Sequence, residues 1–327
     1  MITVGLVGYG YWGPNVARNL NINSEYNLKV ICDKRESRLS KAKELYAQSV
    51  EYSLDFDELI NDKEIDMIAL AVETSAHYEL AKRVLLAGKH VYVEKPFTDN
   101  VKQAIELKQI ANEKDCLIHV DHIMVYHPVI KKIKEIIDSG ELGEIIYYDC
   151  SRINLGQLKN DVSSMWDLSV HDLSIIDYLS NGPIPKNIKS IGKKAYSEKP
   201  SVTFLSIEFE NFIANVTSSW VSPIKERRII IAGTKKMLVY DDVDVLNKLI
   251  VYDKGFDKIE DMEYSDYVIK TRSGEGIIPK LEQSDALYNS LEHFRKCICM
   301  GTRSDTDADA AIRVIKILEE ADQRMEK

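Results

Sequence analysis

The chain has 327 residues, of which 45% are hydrophobic, and a net charge of −9 at neutral pH. That length exceeds one typical domain and falls short of three, so two cores sharing a cleft are expected, and the apolar share can build both. Acidic and basic residues are interspersed with no basic stripe, which argues against a nucleic-acid partner. No apolar run reaches the ~18 residues of a membrane span, and Met1-Ile2-Thr3-Val4-Gly5 enters a strand in place of a leader; a cytoplasmic protein is expected.

In the first 120 residues, short apolar runs alternate with helical patterns. Buried strands are predicted at 2–7, 28–32, 65–72, 90–94 and 117–120, and helices at 15–22, 37–47, 76–87 and 101–112, where apolar residues recur at three- and four-residue spacing. Strict alternation implies right-handed crossovers and a parallel sheet covered on both faces. A helix then begins near Pro128 and ends by Gly140. Alternating segments follow at 144–152, 202–209, 212–220, 228–232 and 237–241, with turn signals at Glu210-Asn211 and Gly233-Thr234. They predict a large, mostly antiparallel open sheet. Helices at about 284–300 and 308–325 close the chain. The expected class is therefore α/β: a Rossmann domain over 1–121 and an α+β domain with a large, mostly antiparallel open sheet over 122–327.

The five cysteines are odd in number and scattered, as expected of reduced thiols. Cys297 and Cys299 stand two apart on a predicted helix, so they point to different faces and are read as packing; no metal site is expected.

Gly8-Tyr9-Gly10-Tyr11-Trp12-Gly13 follows the first strand and opens a helix. The glycines allow a tight turn and close approach of a pyrophosphate, whose charge the helix N-terminus favours. Asp33, at the end of the next strand and 20 residues beyond Gly13, can accept hydrogen bonds from a ribose diol. A carboxylate there repels the extra phosphate of NADP and favours NAD, while the adjacent Lys34 and Arg35 keep NADP open.

With Glu94-Lys95-Pro96 at the end of the 90–94 strand, the chain resembles the Gfo/Idh/MocA oxidoreductase family over essentially its whole length. Further marks are Thr74 and His77, Gly140-Glu141-Leu142-Gly143, and Asp167 with His171 in Trp166-Asp167-Leu168-Ser169-Val170-His171-Asp172. The resemblance implies that Lys95 and His171 flank the reacting carbon with Asp167 beside them. It also implies that residues 8–13, Thr74, His77, Glu94 and Lys95 border the cofactor. Two departures bear on the substrate pocket. Val162-Ser163-Ser164-Met165-Trp166 stands where the family often has a glycine run, and Ser174 where it often has an acid. The tail segments Pro279-Lys280-Leu281-Glu282 and Glu292-His293-Phe294 look most like the branch that acts on nucleotide-linked sugars.

Hydride transfer from a secondary alcohol needs a base for the hydroxyl proton and a positive group for the developing alkoxide. A neutral histidine and a lysine at a strand's carboxyl end supply them. Asp167 precedes His171 by four residues, so on a helix it can orient the imidazole. Asp172 is expected to be a cap or surface acid, His122 and His127 rank below His171, and His90 and His119 are expected to be structural. The reading is an NAD-dependent dehydrogenase or ketoreductase of a nucleotide-linked sugar, forming a homodimer or homotetramer. A dehydrogenase of a free polyol such as inositol, and a dinucleotide-binding regulator without turnover, are the alternatives.

Overall fold

The computed structural model describes residues 1–46, 50–160, 162–261 and 266–325. Contacts divide the chain into two compact units, one of residues 1–127 and 284–316, the other of residues 128–283 and 317–327.

In the first unit the strands are β1 (Ile2–Val7), β2 (Tyr26–Cys32), β3 (Glu51–Ser53), β4 (Met67–Leu70), β5 (His90–Glu94) and β6 (Ile118–Asp121). Between them run α1 (Gly13–Ile22), α2 (Glu36–Tyr46), α3 (Phe56–Asn61), α4 (Thr74–Leu86) and α5 (Val101–Glu113). The sheet is parallel throughout, in the order β3-β2-β1-β4-β5-β6. The order reverses direction at β1, so the carboxyl ends of β1 and β4 flank the switch point where open α/β sheets bind ligands. The short β3 and α3 escape a reading of the sequence because three residues carry no usable period.

The second unit contains α6 (Pro128–Asp138), β7 (Ile145–Ile153), α7 (Val170–Leu179), β8 (Asn187–Lys194), β9 (Pro200–Glu208), β10 (Ile213–Ser219), β11 (Glu226–Gly233), β12 (Met237–Asp241), β13 (Leu249–Asp261) and β14 (Asp266–Ile277). Its eight strands lie in the order β14-β13-β12-β11-β7-β10-β9-β8, and only the β7/β10 pair is parallel. Alternation along β9 buries Ser201, Thr203, Leu205 and Ile207 on one face.

Two helices complete the chain, α8 (Ala286–Met300) and α9 (Ala308–Met325). Asp285 caps α8 by accepting from the Tyr288 N–H at 2.9 Å, and Gly301 ends it at φ 63°, a left-handed conformation that glycine adopts without a Cβ penalty. Leu287, Leu291 and Phe294 of α8 join α1 and Tyr92 in the core of the first unit. The sequence gives no sign of this, since the helix returns to the Rossmann core after more than 150 intervening residues. Cys297 is buried, whereas Cys299 is exposed rather than packed.

Asp172 is not a surface acid. It lies 1% exposed on α7 and accepts from Arg152 Nε at 3.1 Å and Nη2 at 2.9 Å, with Arg152 itself 5% exposed on β7. This two-pronged pair ties the helix that carries His171 to the sheet. Removing one member leaves a buried, uncompensated charge, which costs about 3–5 kcal/mol. Asp172→Leu is therefore expected to lower the unfolding free energy by about that amount in urea titrations. A loss under about 1 kcal/mol, the scale of an exposed pair, would show the pair to be solvated.

Candidate active site

The glycine loop is shaped by close approach. A Cβ at Gly13 would stand 2.1 Å from the Gly8 carbonyl oxygen, and one at Gly8, whose φ is 93°, would stand 2.4 Å from the Ala71 carbonyl oxygen. Only glycine fits either position. The first turn of α1 carries no acidic residue and no side-chain cap; Pro14 has no N–H and those of Asn15 and Val16 donate to the Trp12 carbonyl at 2.8 and 3.3 Å, so it is the positive dipole end of the helix that favours an anion there.

Asp33 follows the last residue of β2 and is 4% exposed. Its Oδ2 accepts from the Tyr9 N–H at 2.7 Å and from Arg38 Nη1 at 3.2 Å, and its Oδ1 accepts from the Arg35 N–H at 2.9 Å. The carboxylate thus pins the loop. Arg38 has no motif to announce it, yet its guanidinium lies against Gly10, where a Cβ would meet Nη1 at 3.3 Å. The side chains of Lys34 and Arg35 are exposed. Tyr11 is 95% exposed, and Trp12 is half-buried with its indole edge toward Asp121.

At the carboxyl end of β4, Thr74 opens α4. His77 is fully buried, its Nδ1 2.8 Å from the Pro96 carbonyl and its Nε2 3.1 Å from that of Val72. Burial keeps its pKa below the ordinary histidine value, so the neutral ring donates one hydrogen, best placed on Nδ1 for the shorter contact. Through the hydrogen bond to the Pro96 carbonyl, His77 braces the turn after Lys95.

The Lys95–Pro96 peptide is cis. His122, just past β6 and 2% exposed, has no hydrogen-bond partner on either ring nitrogen among the described residues. Burial and then the charge of Lys95 push its pKa down to about 3, which keeps it a neutral neighbour of the ammonium. Glu94 and Asp121 face one another at the ends of β5 and β6. Burial raises both carboxyls above their ordinary values, that of Glu94 strongly.

In the second unit, residues 165–169 form a π-helical turn that leads into α7, an insertion often found at functional sites. Asp167 lies in that turn and pairs with Lys159 Nζ at 2.8 Å. His171 lies in the first turn of α7. The wide turn differs from the regular helix on which an i, i+4 stack was expected. Trp166 Nε1 donates to Asp322 Oδ2 at 2.5 Å, fixing the turn against α9. The sequence-predicted residues thus divide, with the loop, Asp33, Thr74, Glu94 and Lys95 in the first unit and Asp167 and His171 in the second.

The family model of the oxidoreductase family with an NAD-binding Rossmann fold matches residues 2–122, and the Gfo/Idh/MocA C-terminal domain model matches residues 130–239. The chain belongs to the Gfo/Idh/MocA family of oxidoreductases. It is 24% identical over 255 residues to UDP-N-acetylglucosamine 3-dehydrogenase of Acidithiobacillus ferrooxidans, covering 77% of this chain and 78% of that protein. It is 23% identical over 231 residues to inositol 2-dehydrogenase of Salmonella typhimurium, covering 69% and 66%. Among solved structures, the Acidithiobacillus enzyme superposes with a TM-score of 0.82 at 23% identity, covering 99% and 98% of the two chains. GenD2 from gentamicin A biosynthesis, in complex with NAD, gives 0.81 at 18% identity, covering 100% and 96%.

The Rossmann unit is an NAD-binding domain, and the fit at the loop is testable. Gly13→Ala must drive the start of α1 away from the Gly8 carbonyl, so NADH affinity is expected to fall about tenfold or more, or at least about 1.4 kcal/mol, in a fluorescence titration. An unchanged affinity would place the dinucleotide away from this loop.

Proposed function

We propose that this NAD-dependent oxidoreductase moves a hydride to or from a ring carbon of a nucleotide-linked sugar. The observation that carries the reading is Lys95 at the carboxyl end of β5, in the same unit as a loop that admits only glycine at 8 and 13. Similarity to a UDP-N-acetylglucosamine dehydrogenase over about three quarters of both chains supports the substrate class. The bound nicotinamide supplies the hydride acceptor or donor. Residues 8–13 and the α1 N-terminus hold its pyrophosphate, Asp33 accepts from the adenine-side ribose, and Thr74 and Glu94 border the nicotinamide end. His77 acts through the turn it braces.

Lys95 Nζ stabilises the developing alkoxide, and the neutral His122 beside it adds no competing charge. His171 takes the hydroxyl proton in oxidation and returns it in reduction, with Asp167 as its orienting acid. Lys95→Met and His171→Asn are each expected to spare NADH binding and lower turnover by about two to four orders of magnitude, read as near-ultraviolet absorbance of the reduced cofactor with NAD and UDP-N-acetylglucosamine. The acid limb of the oxidation rate should disappear in His171→Asn and persist in Lys95→Met. Oxidation of myo-inositol alone would favour the polyol reading, and cofactor binding with no turnover of either compound would favour a regulator.

Cofactor choice turns on the charge of Asp33. NAD is expected to bind more tightly than NADP, and Asp33→Asn, which keeps an acceptor for the Tyr9 N–H, should narrow the difference in parallel titrations. Tighter NADP binding by the native protein would mean that Arg38 governs the site.

Among the described residues no helix is long and apolar enough to cross a membrane, in keeping with the cytoplasmic location we infer. Ile191 and Phe204, opposite one another on β8 and β9, are 72% and 51% exposed. An apolar pair on an open sheet suits association through that face into a homodimer or homotetramer. Light scattering of the purified protein should report two or four subunits; a monomer would overturn this.

A further inference from the structure

The side of β5 and β6 beneath α8 is polar where a core would ordinarily be apolar. Tyr92 and Glu94 project from β5, and His119 and Asp121 are their register partners on β6. The Tyr92 and His119 rings stack at 4.9 Å, and Tyr92, His119 and Asp121 are 0%, 0% and 1% exposed. Asp121 Oδ1 accepts from Ser290 Oγ of α8 at 3.0 Å. Ser290 Oγ lies 2.9 Å from His119 Nε2, and His119 Nδ1 lies 2.8 Å from Ser304 Oγ. Ser304 is also 3.2 Å from the Tyr126 hydroxyl, which is 2.9 Å from Thr306 Oγ1. Ser304 lines a surface recess with Lys108, Arg303 and Asp307. A continuous polar file therefore runs through the unit from the neighbour of Lys95 to solvent.

We propose that Glu94 and Asp121 hold one proton between them, and that Ser290, His119 and Ser304 conduct protons between this pair and the solvent recess. The Tyr92 hydroxyl and Trp12 Nε1 are buried without a hydrogen-bond partner among the described residues, as are two carboxylate oxygens, Glu94 Oε1 and Asp121 Oδ2, and the two carboxyls face each other from register positions on adjacent strands. A single bridging proton satisfies both at once, and it removes the repulsion of two buried anions. The other groups facing the pair are Tyr92 on β5, the Trp12 indole from the loop before α1, Lys95 and His122 at the strand ends, and His119 on β6; His293 of α8 faces His119 in turn. Burial raises both carboxyls, and burial with His293 and His122 holds His119 neutral.

The direction of the file follows from counting hydrogens. The one hydrogen of Ser290 is given to Asp121, so His119 must donate from Nε2 to Ser290 and accept at Nδ1 from Ser304. In this polarity a proton entering from the recess protonates Ser304 as Ser304 passes its own to His119 Nδ1. His119 Nε2 releases one to Ser290, and Ser290 releases one to Asp121. Only O–H and N–H bonds change, no electrons move, and one proton is gained at the carboxyl pair for each taken from water. Outward conduction needs the three groups to reverse. Alcohol oxidation liberates one proton with each hydride and ketone reduction consumes one, so the use of the file in turnover rests on the proposed function, whereas its existence does not.

Infrared spectroscopy of the protein without substrate tests the proposal. At neutral pH the native chain should show the C=O stretch of a protonated carboxylic acid that shifts in D2O, and Glu94→Gln and Asp121→Asn should each abolish it. Ser290→Ala, or Ser304→Ala should the first fail to fold, leaves every charge in place and should keep the band while slowing its shift after mixing into D2O by about tenfold or more. Absence of the band in the native protein, or exchange at the native rate in both serine variants, would overturn the proposal. Failure of UDP-N-acetylglucosamine to reduce NAD would instead fall on the proposed function and leave these infrared results unchanged.

Discussion

A missing carbon atom sets the architecture of the cofactor site. Because residue 13 has no Cβ, the start of α1 can lie on the Gly8 carbonyl, and because residue 8 has none, the loop can lie on the strand-end carbonyl of Ala71. That contact brings the helix N-terminus to the switch point of the parallel sheet. Asp33 then fixes the loop through the Tyr9 N–H, and the same turn leaves the Trp12 indole edge against the carboxyl ends of β5 and β6.

The strand ends are correspondingly rich in charge that a core could not hold unaided. Lys95 sits among a neutral histidine, an acid pair whose pKa values burial raises, and a turn braced by His77. In the second unit the Arg152–Asp172 pair performs a comparable service, holding to the sheet the helix α7 that carries His171 just after the π-helical turn of Asp167. Both units use buried polar contacts to fix the direction of a few side chains, and such contacts are strong only when every member has its partner.

Much of this is legible in the sequence. The strand at 90–94, the strand at 237–241 and the helix at 308–325 have the bounds that the sequence pattern predicts, because long or cleanly alternating apolar patterns report burial directly. The residues around the site are less legible. Asp172 reads as a surface acid because its partner Arg152 is 20 positions away on a strand. Arg38 lies in an ordinary charged helix and gains meaning only from its contact with Gly10. His119 and Ser290 stand 171 positions apart, and no local pattern can show that α8 folds back over β6.

The central claim is that the loop of residues 8–13 holds NAD while the chain acts on a sugar carried by a nucleotide. Mass spectrometry of the small molecules retained through gentle purification tests it most directly. The expected result is NAD, together with a nucleotide sugar or its keto form, released on denaturation. A protein that carries no dinucleotide and takes up none from added NAD would contradict it.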